Sequence, residues 1–110
     1  MKKIAFLMLV GGVFAIACES KTYEEISKPV SNPTYVANVK QVISANCLSC
    51  HGAGQSPKLG TYEEVKAASQ NGNLLCKING HCGVMPPNQK MPQVTVDMIN
   101  LWAQQGYVNQ

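Results

Sequence analysis

Apolar residues recur at helical spacing in several stretches of this chain, and no run of strand length alternates apolar with polar. Val36, Val39 and Ile43 fall on one face of a helix that runs into Asn46-Cys47. Its predicted start is Asn32-Pro33, with asparagine as N-cap and proline in the first helical position. Thr61-Tyr62-Glu63-Glu64 is a capping box that opens a second helix to about Gln70, closed by Asn71-Gly72. A short helical turn is expected over residues 74–78. Ile99, Trp102, Ala103 and Gly106 share one face of a last helix. Thr95 is its expected N-cap, Asp97 lies in its first turn, and Gly106 is small enough for another helix to approach closely. Residues 52–60 form a loop, and residues 80–94 hold Pro86, Pro87 and Pro92, which exclude regular structure. The pattern predicts an all-α domain.

The N-terminal residues follow a different logic. Lys2 and Lys3 precede an apolar run over residues 4–17 that is short for a bilayer span, and Cys18 follows small residues. This is the layout of a secretory signal peptide, with an uncleaved anchor as the alternative. Ala15-Ile16-Ala17-Cys18 reads as a bacterial lipobox with alanine where leucine is usual, which predicts lipidation of Cys18. The same residues also satisfy ordinary signal peptidase. The chain therefore divides into a signal peptide (1–17), a polar tether broken by Pro29 (18–32) and one domain (33–110). Extended, the tether would reach on the order of 45 Å. The expected location is the periplasmic side of a bacterial membrane, lipid-anchored.

Removing the signal also removes Phe6 and Phe14, leaving Trp102 and four tyrosines as aromatic bulk. A core this thin would gain from a large apolar cofactor. The net charge of +3 rests on lysines alone, two of them in the signal, so no clustered basic face marks a nucleic-acid partner.

Cys47-Leu48-Ser49-Cys50-His51 carries the chemistry. Two thiols at this spacing can form thioethers with the two vinyl groups of one haem, and the next residue then projects its imidazole at the iron. A thioredoxin-like redox pair would need a βαβ context, and a four-cysteine zinc site would need a second CxxC, which Cys76 and Cys82 are too far apart to supply. Those two are the leftover pair of an exported chain, expected to be bridged, with free buried thiols as the alternative. A bridge over so short a loop contributes about 2–3 kcal/mol. His81 precedes Cys82 and follows no CxxC, which excludes a second haem. For the other axial position the residues offer Met85, His81 and Met91, a thioether favouring ferrous iron and a high potential.

From about Thr34 to Val108 the chain resembles a single-domain class I cytochrome c of the small bacterial kind. The resemblance lies in a helix running into CxxCH, the Pro57-Lys58-Leu59 stretch, short helices, Met85-Pro86-Pro87-Asn88, and Trp102 on the helix after it. It implies N- and C-terminal helices crossing around one haem c, with Trp102 and Ala103 facing the first helix or the haem. It further implies His51 and Met85 as axial ligands, the Pro57 carbonyl accepting the free N–H of His51, and Leu59 packing on the haem.

The expected function is single-electron transfer, not catalysis, with redox proteins of the cell envelope as partners, the membrane reached through the lipid anchor, and no small-molecule substrate. Two alternatives stay open. One is a gas-binding or redox-enzyme haem module with a displaceable sixth ligand. The other is an electron-entry module docked permanently on a larger oxidoreductase.

Overall fold

The structure is a computed structural model, and it describes residues 29–110. The expected signal segment, Cys18 and the tether up to residue 28 lie outside the described residues. All regular structure within the described residues is helical. A π-helical segment (Tyr35–Val39) leads into α1 (Lys40–Asn46), followed by α2 (Leu48–His51), α3 (Tyr62–Gln70), α4 (Leu74–Asn79) and α5 (Gln93–Gln104). None of these is long and apolar enough to cross a membrane.

The first helix begins two residues later than the expected Asn32 cap. Thr34 is the N-cap: its hydroxyl accepts from Ala37 N–H at 3.2 Å, and its own N–H donates to the Asn38 side chain at 3.0 Å. Pro33, which has no N–H to offer, is buried outside the helix. The first turn closes through bonds from Val39 and Lys40 to carbonyls five residues back. That wider turn aligns Tyr35, four residues before Val39, with Val39 and Ile43. Val36, expected on this face, is turned out and 49% exposed.

The capping box of α3 is fully formed. Glu64 N–H donates to the Thr61 hydroxyl at 3.2 Å, while the Glu64 carboxylate accepts from Thr61 N–H and Gly60 N–H. Such a cap stabilises the domain by about 1 kcal/mol.

In α5 the N-cap lies three residues earlier than the expected Thr95. Pro92 is the N-cap, and its carbonyl accepts from Thr95 and Val96 N–H. This start brings Val96 onto the buried stripe with Ile99 and Trp102. Asp97 therefore lies beyond the first turn, accepting from the Gln93 amide at 2.9 Å. Gly106 also differs from expectation. A Cβ there would meet nothing within 4 Å, whereas its φ of +88° is the left-handed value a helix end requires. Tyr107 N–H returns to the Trp102 carbonyl and Gly106 N–H to that of Ala103, a Schellman closure.

The chain end then closes the fold on its own beginning. Tyr35 and Val36, whose amides have no partner within their helix, donate to the carbonyls of Val108 and Asn109 at 2.8 and 3.0 Å. Trp102, wholly buried, donates its indole N–H to Val108 and packs against Tyr35 and Tyr107, with ring centres 6.2 and 5.0 Å away. The first and last helical segments are thus held together by aromatic contact. On the opposite flank the side-chain amides of Asn79 and Asn100 exchange two hydrogen bonds of 3.0 Å and tie α4 to α5.

Candidate functional site

A cavity of about 630 Å³ opens between these elements, within the usual range for bound small molecules and cofactors. Its walls are largely apolar. Ile43, Leu59, Leu74, Ile78, Met91 and Ile99 all belong to the buried core and all face this cavity. Half of the buried core residues thus border this cavity as well as packing in the core.

Cys47, Cys50 and His51 sit along one edge. α1 delivers them: Cys47 N–H still bonds to the Ile43 carbonyl, and His51 N–H to that of Cys47 at 2.8 Å, so the motif forms a helical turn of its own. Gly52 permits that turn, since a Cβ there would stand 2.7 Å from the Leu48 carbonyl oxygen. Both thiols are free, Cys47 half-buried and Cys50 exposed. Burial pushes the Cys47 thiol above its ordinary value, because the thiolate loses solvation there.

The loop after the motif doubles back onto it. His51 Nδ1 lies 2.8 Å from the Pro57 carbonyl oxygen, and Leu59 N–H donates to the His51 carbonyl at 2.9 Å. Lys58, between them, donates its ammonium to the Ala53 carbonyl. A carbonyl can only accept, so Nδ1 carries the hydrogen and the imidazole lone pair is on Nε2.

Met85 stands on the cavity wall with Pro86 and Pro87, 36% exposed. Met91 also lines it and is buried at 6% exposure. His81 is not on this wall; it sits exposed in the loop closed by the Cys76–Cys82 disulfide, which the structure contains. Trp102 is not on it either, its ring being enclosed in the aromatic cluster with Tyr35 and Tyr107. Cys18 lies outside the described residues.

The motif, Met85, Pro57 and Leu59 therefore meet at one cavity. The sequence reading passed over Lys77, the single formally charged side chain on the wall, and the polar groups of Asn46, Gln55 and Asn73. Lys77 could have been found from spacing, since it follows Leu74 by three positions and so shares its face of α4.

Among the described residues no three His, Cys, Asp or Glu side chains gather to hold a bare ion. The donors are instead an imidazole nitrogen, thioethers and a pair of thiols around apolar walls, a set suited to a metal carried inside a large apolar group. Comparison with protein-family models, with characterised proteins and with solved structures finds no match to this chain.

Proposed function

We propose that this chain is a single-electron carrier of the class I c-type cytochrome kind, with one haem c attached through Cys47 and Cys50. The observation that carries the reading is the meeting of CxxCH with an apolar cavity walled by half of the core. The residues fit the group on three counts. The cavity volume and its aliphatic lining suit a large apolar ring. The two thiols stand within one helical turn at its edge. The His51 tautomer leaves Nε2 as a metal donor, while Met85 offers a soft thioether on the same cavity.

When bound, haem would supply a one-electron ferric/ferrous couple. The chain's own residues bind, orient and shield it. His51 would hold the iron through Nε2, its ring orientation set by the Pro57 carbonyl. Met85 would hold it through its thioether and favour the ferrous state. Leu59, Ile78 and Ile99 would give the group an apolar wall and help keep water from it. His81 lies off the cavity wall, which disfavours a bis-histidine site, and Met91 lines it without being presented on an exposed loop. Export with a lipid tether at Cys18 would put the carrier in the bacterial cell envelope, facing redox proteins there. Cys18→Ser should then release it from membranes, whereas unchanged membrane binding would point to an uncleaved signal anchor.

Absorption spectroscopy of the purified protein tests the carrier reading. Ferric protein should show the weak sulfur-to-iron band at the red end, and ferrous protein should take up carbon monoxide slowly. Met85→Ala should erase the band, lower the potential and admit carbon monoxide, while His81→Ala and Met91→Ala leave all three nearly unchanged. Rapid carbon monoxide uptake by the wild type would mean a ligand-binding or catalytic module in place of a carrier.

A further inference from the structure

The segment that carries Met85 has few attachments. Among the described residues a single backbone hydrogen bond links residues 82–91 to another element, Met85 N–H to the Lys77 carbonyl. At 3.3 Å it is long for such a bond. Val84 beside it is exposed, and Gly83 has a φ of +91°, so neither packing nor local preference fixes this arm.

Two features bracket Met85 instead. Pro86 and Pro87 follow it directly and restrict the backbone on that side. Three residues before it, Cys82 is bridged to Cys76 on α4. Cys76 and Lys77 are neighbours on that helix, so α4 grips both ends of the 82–85 arm, covalently at Cys82 and by a hydrogen bond at Met85. The Lys77 side chain closes over the middle, its Nζ standing only 3.2 Å from where a Cβ on Gly83 would be. The base is rigid. Leu74 and Ile78 anchor α4 in the core, and the Asn79–Asn100 pair fixes it to α5.

From this arrangement we infer that the Cys76–Cys82 bridge is a positioning device for the thioether of Met85, restraining the arm that presents it to the cavity. The inference rests on the reading of Met85 as an axial ligand. Without the bridge one long hydrogen bond alone ties the 82–85 side of the segment to α4, while Pro86, Pro87 and the buried Met91 hold its other side, and Met85 spends more of its time off the metal.

The test uses the haem-loaded protein and its Cys76→Ala/Cys82→Ala variant. Covalent haem per chain should be unchanged, while the ferric sulfur-to-iron band weakens and the Met85 amide loses hydrogen-exchange protection. If the unligated fraction rises from about 1% to about 10%, carbon monoxide uptake, which draws on that fraction alone, quickens about tenfold. Two glycines inserted between Gly83 and Val84 lengthen the arm with the bridge intact and should give the same changes, which keeps the test decisive if the alanine variant folds poorly. Wild-type levels of band and uptake in either folded variant overturn the positioning role and leave the carrier reading untouched. A wild-type protein without covalent haem, or without the sulfur band, overturns the carrier reading itself and the positioning role with it.

Discussion

The Pro57 carbonyl oxygen lies 2.8 Å from Nδ1 of His51, and two residues on, Leu59 N–H donates back to the His51 carbonyl. The loop after CxxCH thus holds both the ring and the backbone of the residue it follows. Such a bond fixes the tautomer and raises the basicity of the opposite nitrogen, which favours the more highly charged state of a metal bound there.

Loosening that loop should therefore raise the reduction potential of the haem-loaded protein. Pro57→Gly frees the backbone at the accepting carbonyl. If the hydrogen bond is worth about 1 kcal/mol more in the ferric state, its loss shifts the potential upward by on the order of 40 mV. Voltammetry of the two proteins checks this, and an unchanged or lower potential would count against the proposed role of Pro57.

Trp102 is the keystone of the contact between the first and last helical segments, with no exposed surface and an indole N–H bonded to Val108. Trp102→Ala should cost about 3–5 kcal/mol. Trp102→Phe keeps most of the volume and should cost about 1 kcal/mol, the net worth of the lost indole hydrogen bond, because the Val108 carbonyl still accepts from Tyr35 N–H. Because the ring is not on the cavity wall, Trp102→Phe should leave the absorption spectrum of the haem-loaded protein unaltered. Denaturant unfolding and one spectrum test both statements.

Tyr35 predicts how stability changes in alkali. Burial, with Glu63 and Glu64 adding negative charge nearby, pushes its phenol above the ordinary value of 10.0. The folded state therefore holds this proton more tightly than the unfolded state does. The associated stability is fully present below pH 10 and is lost as pH rises through the higher folded value. Tyr35→Phe should flatten the decline in unfolding free energy above about pH 10. A decline as steep as that of wild type would show that other groups cause it.

Local chemistry was legible in the sequence wherever one residue type has one use. The Thr61–Glu64 capping box, the helical turn over Leu74 to Ile78 and the Cys76–Cys82 bridge all appear where the residues indicated, whereas the contact of His51 with Pro57 was implied by the resemblance alone. What the sequence concealed were choices between near-equivalent options. Asn32 and Thr34 are both good caps, and the reciprocal bond between Thr34 and Asn38 favours the second. Thr95 is a good cap by composition, yet the Pro92 carbonyl takes the first helical bonds, from Thr95 and Val96 N–H. The π-helical turn that exchanges Tyr35 for Val36 on the buried face carries no composition signal. At Gly106 the left-handed backbone angle, not the small size, is what calls for glycine. The Asn79–Asn100 pair and the place of Lys77 on the cavity wall depend on how distant segments pack, which spacing along one helix only hints at.

Covalent haem is the claim on which the rest depends, and haem staining after denaturing electrophoresis tests it most directly. Expressed in cells competent for haem attachment, the wild-type chain should stain at its own mass, because thioethers to Cys47 and Cys50 survive denaturation. Cys47→Ser/Cys50→Ser should abolish the stain while the chain is still detected by its tag. Equal staining of the two proteins, or an unstained wild type, would contradict the account.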